Sequence, residues 1–119
     1  MGNITIYGIR NCNSMKKAFI FLETHNLHYE FVDFKKTPPD SWLLTNLINM
    51  RGKEAFINTK GTTYKKLKES GIQNISEIDE KMIIENPSIV KRPLIVVVEN
   101  NKILHISIGH QEMEQLLCN

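Results

Sequence analysis

The stretch ITIYGIRNCNSMKKAFIFLETHNLHYEFVDF, residues 4–34, passes from a strand pattern to a helix pattern and back. Ile4-Thr5-Ile6-Tyr7 alternates and is rich in β-formers, which predicts a strand ended by Gly8. From Ser14 to His25 the apolar residues Met15, Ala18, Phe19, Phe21 and Leu22 recur at helical spacing, with Asn13 or Ser14 placed to cap them. Asn26 stands where a left-handed residue would close that helix. Tyr29-Glu30-Phe31-Val32-Asp33-Phe34 alternates again. Strand, helix and strand within roughly thirty residues make a βαβ unit, which favours a parallel pair with a right-handed crossover.

Downstream, Thr37-Pro38-Pro39-Asp40 breaks the pattern, and Asp40 or Ser41 caps a helix carrying Trp42, Leu43, Leu44, Leu47 and Ile48. Trp42, Leu43 and Leu47 read as core; an exposed Trp42 would point to a protein partner instead. Gly52 and Gly61 bracket a short apolar piece, Ala55-Phe56-Ile57, and Thr62 to Glu69 predicts another helix. Ser76-Glu77-Ile78-Asp79 opens a further helix, running through Met82 and Ile83 to Asn86-Pro87. Leu94 to Val98 is apolar throughout, the pattern of a strand buried on both faces. Glu99-Asn100-Asn101 predicts a hairpin turn into an alternating strand, Lys102 to Ile108, and Gly109 precedes a last helix through Met113, Leu116 and Leu117. The order is βαβ, a helical insertion at about residues 40–90, then ββα. That is an α/β fold of thioredoxin type, with a mixed four-stranded sheet flanked by helices.

The 119 residues fit one domain, spanning 1–119. A hydrophobic content of 41% and a charged content of 24% are ordinary for a soluble globular chain, which at this length folds without staples or metal. The two cysteines are too far apart in sequence for a disulfide framework and suit a reducing compartment. No apolar run approaches the roughly 20 residues of a membrane span, and residues 1–5 carry no secretion signal. A cytoplasmic protein is expected, without membrane association. A net charge of +2 is too small to imply direct nucleic-acid binding.

Chemistry concentrates at Cys12. It follows the first strand by a short loop and stands at the start of the first helix, where backbone N–H groups and the helix dipole stabilise a thiolate. Arg10, Lys16 and Lys17 add cationic charge nearby. A buried structural cysteine is the plainer alternative, but the flanking Asn11 and Asn13 place Cys12 in a polar loop. Pro93 follows Lys91-Arg92 and opens the buried strand. It reads either as a tight turn, often cis, that brings Arg92 towards the thiol, or as ordinary punctuation between helix and strand.

Tyr7-Gly8-Ile9-Arg10-Asn11-Cys12 with Lys16-Lys17-Ala18 resembles the thiol loop of the ArsC/Spx superfamily. Asn58-Thr59-Lys60-Gly61-Thr62 resembles the central segment of its YffB-type branch, and Asn86-Pro87 and Lys91-Arg92-Pro93-Leu94 resemble two further family elements. The resemblance runs in order along essentially the whole chain. It implies a nucleophilic Cys12; with the charge nearby, Arg10, Asn11, Lys16, Lys60, Arg92 and Pro93 are expected to bind substrate or anion, and no metal is expected. It also implies no tightly bound cofactor, with glutathione as co-substrate, or a glutaredoxin- or thioredoxin-type thiol donor as partner. Of the three arginines that glutaredoxin-coupled arsenate reductases use, Arg92 is matched. The others fall on Asn58, with Lys60 two residues on, and around Ile106 or Ser107. A lysine lacks the planar fork that an oxyanion prefers, so a glutathione-linked thiol reductase is favoured over an arsenate reductase. The Spx branch, whose regulators bind RNA polymerase, carries Cys-x-x-Cys at this loop. Met15 stands at the second cysteine's place here.

Cys118 reads as a terminal thiol on the last helix, with a resolving role for Cys12 as the alternative. His25, His28, His105 and His110 show no paired metal-ligand spacing. Lys60, Lys65, Lys66 and Lys68, beside Arg51 and Lys53, read as a solvated helix face, with Lys60 joining Arg92 and Lys16 around an anionic thiol or oxyanion as the alternative.

Overall fold

A computed structural model describes residues 2–118; Met1 and Asn119, the two ends of the span read as one domain, lie outside the described residues. Strand β1 (Asn3–Gly8), helix α1 (Asn13–Thr24) and strand β2 (Tyr29–Asp33) form the expected βαβ unit. Helices α2 (Ser41–Met50), α3 (Lys53–Phe56), α4 (Thr62–Glu69) and α5 (Glu80–Glu85) follow, with single 3-10 turns at Ile75–Glu77 and Pro87–Ile89. Strands β3 (Leu94–Glu99) and β4 (Lys102–Ile108) and helix α6 (Gly109–Leu117) complete the chain. The sheet runs β2-β1-β3-β4, with β1 parallel to β2 and antiparallel to β3, and β3 antiparallel to β4. This is the α/β, thioredoxin-like architecture expected.

Each face of the sheet carries its own core. Ile4, Ile6, Ile95 and Val97 face Met15, Ala18 and Leu22 of α1 and Met113 of α6. Leu94 and Val96 face the other way, onto Leu43, Leu44, Leu47, Phe56 and Ile83 of the inserted helices. The unbroken apolar run of β3 is thus explained by cover on both sides: residues Leu94 to Val97 are all fully buried. Burying side chains of this size stabilises the fold by roughly 1.5–3 kcal/mol each.

Local signals explain most boundaries. The Asp40 carboxylate accepts the Leu43 N–H at 2.9 Å and starts α2. Asn26 takes φ 55 after α1, and Leu27 N–H returns to the Leu22 carbonyl at 2.9 Å, the left-handed close that asparagine tolerates. Asn100 and Asn101 both take positive φ, 53 and 62, in the β3–β4 turn, as a two-residue turn matched to strand twist demands.

Within the stretch Ser76–Asp79 the cap of α5 is Asp79, which accepts the Met82 N–H at 2.9 Å, while the Ser76 N–H is bonded to the Asn74 side chain in the 3-10 turn before it. One expectation is corrected. Trp42 is not core but 43% exposed. Leu43, Leu44 and Leu47 already fill the sheet-facing stripe of α2, so Trp42 falls on the outer face with Met50.

Candidate active site

The end of β1 sets the site. Gly8 accepts the Phe34 N–H at 2.8 Å, and a Cβ on Gly8 would lie 2.4 Å from the Met15 sulfur. Glycine leaves the space into which the buried Met15 packs at the strand end. The chain then turns through Ile9, Arg10 and Asn11 and delivers Cys12 to the capping position of α1, in extended backbone with φ −127 and ψ 134. The cap is therefore the cysteine itself, neither Asn13 nor Ser14. Its carbonyl accepts the Lys16 N–H at 3.0 Å, beginning the helical ladder.

At a capping position the side chain looks onto the second and third N–H groups of the helix. Here those belong to Ser14 and Met15, and they act on the Cys12 sulfur without forming a cap hydrogen bond of ordinary geometry. Partial burial of the thiol pushes its pKa up, but these two N–H groups, the charge of Arg92 and a hydrogen bond from its guanidinium together outweigh that. The result is a Cys12 pKa below the ordinary cysteine value, a thiolate favoured by donors and charge.

Arg92 reaches this place through the inserted helices. Phe56 accepts the Lys91 N–H at 2.8 Å, Asn58 N–H donates to the Ile89 carbonyl at 2.7 Å, and Ile57 bridges Val90. This short ladder holds the segment before Arg92, whose guanidinium also donates to the Ser88 carbonyl at 3.4 Å. The Arg92–Pro93 peptide is cis, and the buried Pro93 accepts the Gly109 N–H at 2.9 Å through its carbonyl.

Cys12 and Arg92 are therefore brought together. The Arg10 guanidinium lies over the Phe31 ring of β2, 4.9 Å from the centroid. Asn11 and Lys16 are exposed at the thiol loop and the first turn of α1. Lys60 is exposed in the turn before α4, its backbone N–H bonded to the Asn58 side chain at 3.1 Å. Asn58 thus ties its own turn, and Ser107 is buried with its hydroxyl unpartnered. Cys118 caps the far end of α6, with its sulfur 3.9 Å from His25 Nε2. His25 closes α1, a helix of 12 residues, or about 18 Å, so Cys118 stands at the opposite end of α1 from Cys12.

The family model for the ArsC family matches residues 7–116. The chain belongs to the ArsC family. Among solved structures, a YffB protein is similar to this ArsC-family chain at 26% identity and a TM-score of 0.80, covering 96% of each chain. A protein from Brucella melitensis, described as related to arsenate reductase, is 34% identical with a TM-score of 0.66, covering 95% of this chain and 91% of that one. The global transcriptional regulator Spx of Listeria innocua is 25% identical over 96% of this chain and 86% of its own. This ArsC-family chain is thus similar both to arsenate reductase-like proteins and to Spx regulators. Among the described residues, no helix is long and apolar enough to cross a membrane.

Two features escaped sequence reasoning. Ser88 receives Arg92 on its carbonyl and meets Thr63 hydroxyl to hydroxyl at 2.6 Å; its place one turn before Arg92 was the available signal. Arg51, grouped with the lysines by sequence, forms a two-pronged pair with Glu112 at 2.7 and 2.8 Å and also donates to the Ile106 carbonyl. No local pattern links residues 61 positions apart.

Proposed function

We propose that this protein is a thiol-dependent oxidoreductase that resolves glutathione mixed disulfides through Cys12. The observation that carries the proposal is the Cys12 sulfur at a helix start, favoured as thiolate by the N–H groups of Ser14 and Met15 and by Arg92. The thiolate attacks the glutathione sulfur of a mixed disulfide, the old S–S bond breaks, and the substrate leaves as its thiolate and takes up a proton. A glutathione thiolate then attacks the Cys12–glutathione bond, releasing oxidised glutathione and restoring the Cys12 thiolate. The resolving thiol comes from outside because Cys118 lies at the far end of α1. Arg92 favours the thiolate and attracts the anionic co-substrate, with Lys16 and Lys60 adding diffuse positive charge and Asn11 and Pro93 shaping the loop edges. A glutaredoxin- or thioredoxin-type donor could replace glutathione in the second step on the same chemistry. Arsenate reduction draws less support, because Asn58 and the stretch around Ile106 or Ser107 stand where those enzymes use arginines.

The test is steady-state reduction of a cysteine–glutathione mixed disulfide by glutathione. Turnover that disappears in Cys12→Ser is the expected result; a wild-type rate no faster than uncatalysed exchange would overturn the proposal.

A regulator that binds RNA polymerase is the second reading, favoured by the likeness to Spx and by the exposed Trp42. Capture of purified polymerase by the wild-type chain, lost in Trp42→Ala, together with absent turnover, would put this reading first.

A further inference from the structure

We propose that the groove between the thiol loop and α4 is the binding site for the peptide part of the glutathione co-substrate, with Lys35 and Lys66 selecting its carboxylates. The proposal rests on the glutathione reading above.

The groove holds about 530 Å³, within the roughly 300–1,000 Å³ usual for small-molecule sites. It lies beside the thiol loop. Ile9, on its wall, precedes Cys12 by three residues, and Ser88, on another wall, accepts a hydrogen bond from Arg92 on its carbonyl at 3.4 Å. An extended tripeptide spans about 10 Å, the scale of a groove of this volume.

The lining matches that peptide in charge. Glutathione carries two carboxylates and one ammonium. Lys35, from the end of β2, and Lys66, from α4, are exposed cations on the groove walls, and Glu85 is an exposed anion there. Among the described residues the ion pair is Arg51–Glu112, so neither lysine is held by an acid. Lys68, the neighbouring cation, is turned aside over the Tyr64 ring at 5.9 Å. Two free cations and one free anion can meet two carboxylates and one ammonium, while Leu67 and Pro87 offer apolar contact to the backbone between them. A second cleft of about 530 Å³, between α1 and α6, is lined by His25 and lies at the Cys118 end of α1, away from the reacting sulfur.

The test compares the rates at which Cys12 is modified by oxidised glutathione and by the uncharged bis(2-hydroxyethyl) disulfide, in a Cys118→Ser background. Their ratio is normalised to the same ratio for free 2-mercaptoethanol. In the first step the Cys12 thiolate attacks either disulfide, the S–S bond breaks, and one thiolate leaves. A wild-type preference for oxidised glutathione that falls about fivefold in Lys35→Gln/Lys66→Gln, the size two exposed ion pairs supply, supports the site. The preference should also shrink in about 1 M salt, where exposed charges are screened. A wild-type preference that survives the double substitution overturns the groove and leaves the glutathione reading standing. A wild type without any preference overturns the glutathione reading and the groove with it.

Discussion

Cys12 and Cys118 set the same side chain at two opposite kinds of helix end. Cys12 begins α1, where free N–H groups point at its sulfur; Cys118 ends α6, where a helix presents carbonyl oxygens, and its neighbour is the His25 ring. Cys12 is partly buried and joined by Arg92, whereas Cys118 is exposed one residue from the end of the chain. The difference teaches that what favours a thiolate here is a property of address. A thiolate is favoured where donors and a cation face it; the start of α1 supplies the donors and the segment before β3 supplies Arg92.

The largest effect that could break this comparison is on turnover. Cys12→Ser should abolish exchange of glutathione mixed disulfides, a loss on the order of 10³-fold or more, while Cys118→Ser should stay within about twofold of wild type. Equal losses in the two variants would mean that the far end of α1 takes part in the chemistry.

The next effect is on the packing that aims α1. Gly8→Ala would drive a methyl group to 2.4 Å from the Met15 sulfur, and the buried methionine has little room to yield. Overpacking of this kind costs about 1–3 kcal/mol, which denaturant unfolding would read as a lower midpoint. An unchanged midpoint would mean that Met15 re-seats freely and that Gly8 does not hold the helix start.

Arg92→Ala should raise the Cys12 pKa and slow its alkylation at neutral pH by about three- to tenfold, with Arg92→Lys recovering part of the rate as a charge without the fork. The cysteine at the other end of α1 should not respond. A pKa unchanged in Arg92→Ala would leave the helix N–H groups as the whole cause.

The smallest effect belongs to the beginning of α6. Glu112 is held below the usual carboxylate range chiefly by its hydrogen bonds from Arg51, against the opposing pull of burial. A carboxylate pKa depressed in the folded state contributes stability above its unfolded value, about 4.3, and loses it as pH falls through the folded value. Both side chains are about one-third exposed, 29% and 37%, so screening limits the pair to less than about 1 kcal/mol. Urea midpoints of wild type and Glu112→Gln should differ slightly at neutral pH and converge as pH falls through the folded pKa of Glu112. A gap that widens in acid would contradict the pairing.

The sequence disclosed what local chemistry decides. Alternation named the strands, Asp40 and Asn26 marked helix ends, and Asn100-Asn101 marked the hairpin, because each acts on its own backbone within a few residues. The position of Cys12 at a helix start was legible for the same reason, and family resemblance added Arg92. What stayed hidden depends on packing between distant segments. Arg10 turns to Phe31, a choice between two neighbours that spacing does not resolve. Trp42 faces outward because three leucines beside it had already filled the inner stripe of α2. Ser88 and the pair Arg51–Glu112 matter only once α2, α4 and α6 are placed.

The central claim is that the fold activates the Cys12 thiol. Its most direct test is the pH dependence of Cys12 alkylation by iodoacetamide in Cys118→Ser, where one thiol reports. The account predicts a midpoint well below about 8.5, the value of an unperturbed cysteine. A midpoint at or above that value would contradict it, and would leave Cys12 as a helix cap without a chemical role.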